Sequence, residues 1–238
     1  MGLMFRNLRI IIRYNNENTM KKLCIVVPYR DREEHLNKFI PHMEKYMNES
    51  EDVLYTIAIV EQADEKPFNR AKLLNIGFLE NKDFDYFVFH DVDMLPEDSD
   101  YDYEENPTHL SSMVEQFGYK LPYDGYFGGV TLFDKESFEK INGYSNEYWG
   151  WGAEDDDVLL RCATMGIPIF RKSCKYRSLS HDRKIDQIPY TRNLNKLNDF
   201  SSDPTTQKIM VDGLSTIKYE KVGEKLISDN VKIISVNI

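Results

Sequence analysis

The 238-residue sequence predicts an α/β fold organised on a buried sheet with parallel strands. Three observations carry this. Leu23-Cys24-Ile25-Val26-Val27 is a short, unbroken apolar run with β-branched residues, the pattern of a strand covered on both faces. This run and a second at 53–60 are each followed by a segment with apolar residues at helical spacing. Polar motifs stand directly after the strands, at the edge where open α/β sheets bind ligands.

The first strand, 23–27, is expected to end at Pro28 and to lead into the polar turn Tyr29-Arg30-Asp31-Arg32. Residues 33–47 carry Leu36, Phe39, Ile40 and Met43 at helical spacing, with Pro41 expected to kink or end the helix. The strand at 53–60 gives way to a polar loop over 61–67. Phe68-Asn69-Arg70 then opens a helix over 71–79. Residues 85–90 form a third strand, and Asp91-Val92-Asp93 follows it. Acidic, turn-rich residues 97–107 read as a surface loop, and 110–117 as a short element of unassigned type. Residues 126–133 read as a strand in which Gly128 and Gly129 permit close approach of a ligand or another backbone. A short helix covers 135–141. A further helix follows Asp157, a short strand spans 167–170, and another strand precedes His181. Residues 194–200 are helical, and strands 214–222 and 231–238 pair across a loop at 223–230.

Composition bounds the function. Hydrophobic content of 41% and charged content of 29% suit a globular chain with a core. A formal charge of −10 argues against non-specific binding to nucleic acid or anionic membrane. Three cysteines, Cys24, Cys162 and Cys174, give no disulfide framework and favour a reducing compartment. No apolar run approaches the ~18–20 residues of a membrane helix, and residues 1–20 lack a secretory signal pattern. The chain is therefore expected in the cytoplasm, with 1–20 as a poorly ordered extension and 21–238 as one domain.

Three motifs carry chemistry. Asp91 and Asp93 end a buried strand at i, i+2 spacing, so their carboxylates can converge on a divalent cation holding a diphosphate. Other Asp-x-Asp pairs, such as Asp98/Asp100, lie in loops and read as solvated. Arg70 sits at a helix N-terminus, against the dipole preference, and is most simply explained by a facing anion. Tyr148-Trp149-Gly150-Trp151-Gly152-Ala153-Glu154-Asp155-Asp156-Asp157 joins the only two tryptophans to four acids at a helix start. That segment is either an acidic helix cap beside a surface loop or a mobile aromatic lid bearing a catalytic carboxylate. Arg30 and Arg32 are phosphate ligands or solvated cations.

Five of these stretches, in their order, resemble the β-1,4-galactosyltransferases: 27–32, 68–78, Asp91-Val92-Asp93, 126–130, and the Trp-Gly-Trp-Gly-Ala-Glu-Asp-Asp run from Trp149. The resemblance covers about Lys22 to the C-terminus. It implies a GT-A fold with a Rossmann-like nucleotide half near 21–133, an acceptor half near 134–238 and a mixed central sheet. It also implies inverting transfer of galactose from UDP-galactose to a saccharide hydroxyl, dependent on Mn²⁺ or Mg²⁺. By matching position, Asp155 is the general base, and Asp93 and His181 hold the metal. Pro28, Tyr29, Arg30, Arg32, Phe68, Asn69, Arg70, Asp91, Val92, Tyr126 and Trp151 bind the donor. Gly152, Ala153, Glu154, Asp156 and Arg192 face the acceptor. Tyr126 matches the tyrosine that favours galactose over N-acetylgalactosamine. The chain departs from the family where a third metal ligand, Met or His, is replaced by Ser178 and Leu179. The alternatives are a transferase using UDP-N-acetylgalactosamine or UDP-glucose, a nucleotidyltransferase, and a non-catalytic sugar-binding relative.

Overall fold

The computed structural model describes residues 20–49, 53–180 and 186–238. The first half contains β1 (Lys22–Tyr29), α1 (Glu33–Asn48), β2 (Leu54–Gln62), α2 (Arg70–Leu79), β3 (Tyr86–His90), β4 (Met94–Asp98), β5 (Thr108–His109), β6 (Met113–Val114) and β7 (Val130–Asp134). The second contains α3 (Lys135–Lys140), α4 (Glu154–Thr164), β8 (Phe170–Arg171), β9 (Lys175–Ser178), α5 (Gln187–Ser202), α6 (Thr206–Met210), β10 (Glu220–Ser228) and β11 (Val231–Asn237). Eight strands form one mixed sheet in the order β10-β11-β2-β1-β3-β7-β5-β8, and β4-β9-β6 form a smaller one. The C-terminal β11 pairs in parallel with β2, so the first and last described strands share the main sheet.

β1 shows why the core is two-layered. Successive strand side chains point to opposite faces. Leu23, Ile25, Val27 and Tyr29 meet Leu36, Phe39 and Met43 of α1 on one face. Cys24 and Val26 meet Leu73, Leu74 and Phe78 of α2 on the other. All three cysteines are buried free thiols. Among the described residues no helix is long and apolar enough to cross a membrane.

Several boundaries differ from the sequence expectation. β1 does not stop at Pro28 but pairs through Tyr29 with β2. β3 leaves the ladder after Val26, so the missing Pro28 N–H costs no bond on that side. Pro41 does not end α1, which continues to Asn48. Pro41 and Asn37, four residues earlier, are both exposed, so the orphaned carbonyl faces solvent. β7 starts at Val130, not 126, because the chain turns at Gly129 with φ of 79°. The strand expected at 167–170 is Phe170–Arg171. The helix expected at 194–200 begins earlier, capped by the Asp186 side chain on the Ile188 N–H. The strand expected at 214–222 starts at Glu220 and runs to Ser228, leaving a two-residue turn before β11. The loop expected at 97–107 buries Tyr101. The expectation for 1–20 lies outside the described residues, apart from Met20.

Candidate active site

The site is built around one guanidinium. Asn69 caps α2 by accepting from the Lys72 N–H, which leaves Arg70 as the first helical residue at the sheet edge. Arg70 Nε donates to Asp91 Oδ1 at 2.7 Å, and Nη1 donates to Asp155 Oδ1 at 2.9 Å. Glu154 Oε1 lies 3.7 Å from the same Nη1. The carboxylate after β3 and the first turn of α4 therefore meet on one cation. Burial opposes the Arg70 charge, yet attraction from Asp155 and Asp91 outweighs it and raises its pKa. One cation does not balance three carboxylates. Burial, then the neighbouring Glu154, Asp91 and Asp156, hold the Asp155 carboxyl well above its ordinary range despite Arg70. Burial also raises Glu154.

The four acids of α4 divide their work. Asp157 is structural, since it accepts from Tyr148 Oη at 2.9 Å and pairs with Arg161 at 2.5 Å. Asp156 accepts from Tyr123 Oη at 2.9 Å. Asp155 faces Arg70 on one side and Gly128 on the other, where its Oδ2 occupies the space a Cβ at 128 would need. Tyr126, beside this carboxylate, has its hydroxyl pKa raised by burial and then by Asp155 and Asp91.

At the C-terminal edge of β1 and β2, the Arg30 guanidinium lies 5.4 Å over the Phe68 ring and donates to the Lys66 carbonyl. Arg30 also lines a cavity of about 500 Å³ with Asp31, Glu61, Gln62 and Asp64, at the C-terminal ends of β1 and β2. Arg32 turns instead to His35, with Nη1 to Nδ1 at 3.4 Å. Pro28, Tyr29, Asn69 and Val92 are buried.

The tryptophan segment rests on α5. Asn193 Nδ2 donates to the Trp149 and Trp151 carbonyls at 3.2 and 3.3 Å. The half-exposed Trp151 ring packs 5.3 Å from Tyr190. Gly150, Gly152 and Ala153 all have positive φ, at 81°, 100° and 75°. The Gly150 N–H donates to the Phe68 carbonyl, tying this segment to the stretch just before α2. Arg192 makes no ion pair with Asp155 or Asp156. It lines a separate cavity of about 490 Å³ with Asp157, Arg161, Lys196 and Asp212.

Asp93 lies two residues beyond Asp91, and its carbonyl accepts from the Leu179 N–H at 2.8 Å. β9 therefore ends beside it, with Ser178 opposite Met94. Leu179 packs against the apolar core and offers no side-chain donor. His181 lies outside the described residues. Among the described residues no cluster of three or more His, Cys, Asp or Glu is placed to bind a metal. The sequence reading missed Asn193 as the support of the tryptophan segment and missed Tyr123 as the partner of Asp156.

Residues 11–105 match the N-terminal region of glycosyl transferase group 7, and residues 108–183 match the N-terminal domain of galactosyltransferase. Human β-1,4-galactosyltransferase 4 is 40% identical over 211 residues, covering 85% of this chain and 60% of that protein. Bovine β-1,4-galactosyltransferase 1 is 38% identical over 83% of this chain and 50% of its own length. The chain thus spans a little over half the length of these curated relatives. The catalytic domain of Drosophila β1,4-galactosyltransferase 7, solved with xylobiose, superposes with a TM-score of 0.74 at 31% identity, covering 92% of this chain and 94% of that one. A mutant of that Drosophila protein, solved with manganese, UDP-Gal and xylobiose, superposes at 0.73.

Proposed function

Because this chain belongs to the β-1,4-galactosyltransferase family, we propose that it is an inverting glycosyltransferase moving galactose from UDP-galactose to a hydroxyl of a saccharide acceptor. The observation that carries the reading is Arg70, which bonds Asp91 at the sheet edge and Asp155 at the start of α4. Asp155 is the general base. It takes the acceptor hydroxyl proton as the new oxygen–C1 bond forms and the C1–phosphate oxygen bond breaks on the opposite face, releasing UDP. Its raised pKa makes it a stronger base than an ordinary aspartate. Arg70 fixes its orientation, and Arg30 with Phe68 borders the cleft for the nucleotide. Glu154 and Asp156 bind sugar hydroxyls, and Trp151 excludes water over the donor.

The donor chemistry suits a hard divalent ion such as Mn²⁺. Asp93 meets the end of β9 through its backbone carbonyl, and three carboxylates, Asp91, Glu154 and Asp155, surround the Arg70 guanidinium, a carboxylate excess of the kind such an ion offsets. Asp93 and His181 would hold the ion, with Ser178 the neighbouring oxygen. When bound, it supplies positive charge to the leaving diphosphate. Residues 21–133 form the nucleotide-sugar half and 134–238 the acceptor half.

The test is UDP release from UDP-galactose with Mn²⁺ against a panel of acceptors that includes N-acetylglucosamine, xylose and xylobiose. UDP-N-acetylgalactosamine and UDP-glucose serve as competing donors. Acceptor-dependent UDP release that disappears in a folded Asp155→Asn variant is expected. Near-normal turnover by that variant would overturn the assignment of the base.

A further inference from the structure

The Tyr126 and Gly128 carbonyls are held by two residues that the chemistry above does not use. β5 and β8 run parallel at the sheet edge, with His109 opposite Arg171. Arg171 Nε donates to His109 Nδ1 at 3.2 Å. A guanidinium only donates, so Nδ1 carries no proton and Nε2 carries it. Nε2–H then donates to the Gly128 carbonyl at 2.9 Å. Ser111 Oγ donates to the same carbonyl at 2.7 Å and accepts from the Val130 N–H. Arg171 Nη2 meanwhile donates to the Tyr126 carbonyl at 2.8 Å. The buried His109 ring meets the Tyr126 ring edge-on at 5.4 Å. Burial lowers the His109 pKa to about 4, and the Arg171 charge adds to this, so the ring is neutral at pH 7.

We propose that Arg171 and His109 are positioning residues that set the Tyr126–Gly128 wall of the donor site and, through Gly128, the orientation of the Asp155 carboxylate. The inference rests on the transferase reading. Every link is geometric: Arg171 fixes the His109 tautomer, and His109 Nε2–H joins the Ser111 hydroxyl in holding the Gly128 carbonyl. The Gly128 backbone in turn abuts Asp155 with no side chain between them. Arg171 is exposed, so replacing it leaves the core filled.

The test compares kcat and KM for UDP-galactose, with Mn²⁺ and the best acceptor of the panel, in wild type, Arg171→Met, His109→Gln and His109→Asn, alongside Tm. Arg171→Met should lower kcat roughly 10- to 100-fold by misplacing the reacting groups, with a smaller change in KM. His109→Gln retains a donor near the Nε2 position and should recover most of the rate. His109→Asn places its amide near Nδ1, loses the bond to Gly128 and should not. A merely structural role would lower Tm in all variants without ordering Gln above Asn in kcat per folded molecule. Wild-type kcat in Arg171→Met, or equal rates for the two His109 variants, would overturn the inference alone. A wild-type chain that releases no UDP with any acceptor would overturn the transferase reading and this inference with it.

Discussion

Gly128→Ala isolates the fit between the β7 approach and the Asp155 carboxylate proposed as the base. Gly128 is not among the positive-φ residues, so an alanine backbone is tolerated there. The obstacle is space. A Cβ at 128 would stand 2.8 Å from Tyr126 Cε2 and 3.0 Å from Cζ, and nearer still to Asp155 Oδ2, whereas ordinary contact begins at 3.4 Å. The Tyr126 ring must retreat by about 0.6 Å and the carboxylate by more. Asp155 cannot simply slide away, because its other oxygen is bonded to the buried Arg70. A displacement near ~1 Å between base and substrate lowers the rate by about 100-fold, equivalent to ~2.7 kcal/mol in the barrier. The assay is steady-state UDP release with saturating UDP-galactose and Mn²⁺, paired with a thermal melt. The expected result is a kcat reduced by one to two orders of magnitude in a protein that still folds. A kcat within about twofold of wild type would show that the carboxylate position is not critical, and the assignment of Asp155 as base would fail.

Other perturbations test separate parts of the site. Arg70→Met leaves Asp91, Asp155 and Glu154 without the cation they share. Breaking such a pair is expected to cost about 3–5 kcal/mol, read as a shift in the urea midpoint; an unchanged midpoint would contradict the central role given to this residue. Asp93→Ala should abolish the Mn²⁺-dependent part of UDP binding in calorimetry, and metal-enhanced binding by the variant would remove Asp93 from the ligand set. Because the folded-state pKa of Asp155 is raised, this carboxylate protonates at higher pH than an ordinary aspartate near ~3.9. The acid limb of kcat/KM should therefore lie above the usual carboxylate range, and a limb within it would count against the assignment. The same shift bears on stability: a raised carboxyl contributes stability at low pH that is lost as pH rises through its folded pKa. Asp155→Asn should consequently melt higher than wild type at neutral pH, with the difference shrinking on acidification. Asn193→Leu removes two hydrogen bonds to the Trp149 and Trp151 carbonyls, worth about 1 kcal/mol each. The only two tryptophans lie in this segment, so their fluorescence should change; an identical spectrum would separate Asn193 from the tryptophan segment.

The residues that could be found in the sequence were those that break a local rule. Arg70 is a cation at the positive end of a helix dipole, and the structure supplies the anions that explain it. Glu154 to Asp157 follow the dipole rule as a group, so sequence could not say which of them was structural. Asp157 is the structural one because Arg161 stands one turn later and Tyr148 folds back from nine residues away. β1 to β3 were legible because burial on both faces leaves an unbroken apolar run, whereas β5 and β8 are two residues each and carry no period to detect. β10 was displaced for a related reason: it is a solvent-facing edge strand of mostly charged and polar residues, paired in the sheet to β11 alone. The supports of the site are less accessible still. His109 and Arg171 are 62 positions apart, and Asn193 is more than 40 from the carbonyls it holds. None of the three has an unusual local environment, because each acts on backbone carbonyls, which carry no side-chain signature in a sequence. Residues that touch substrate must have particular chemistry and so betray themselves by type. Residues that hold those residues need only a donor at the right distance, and that distance is set by the tertiary fold.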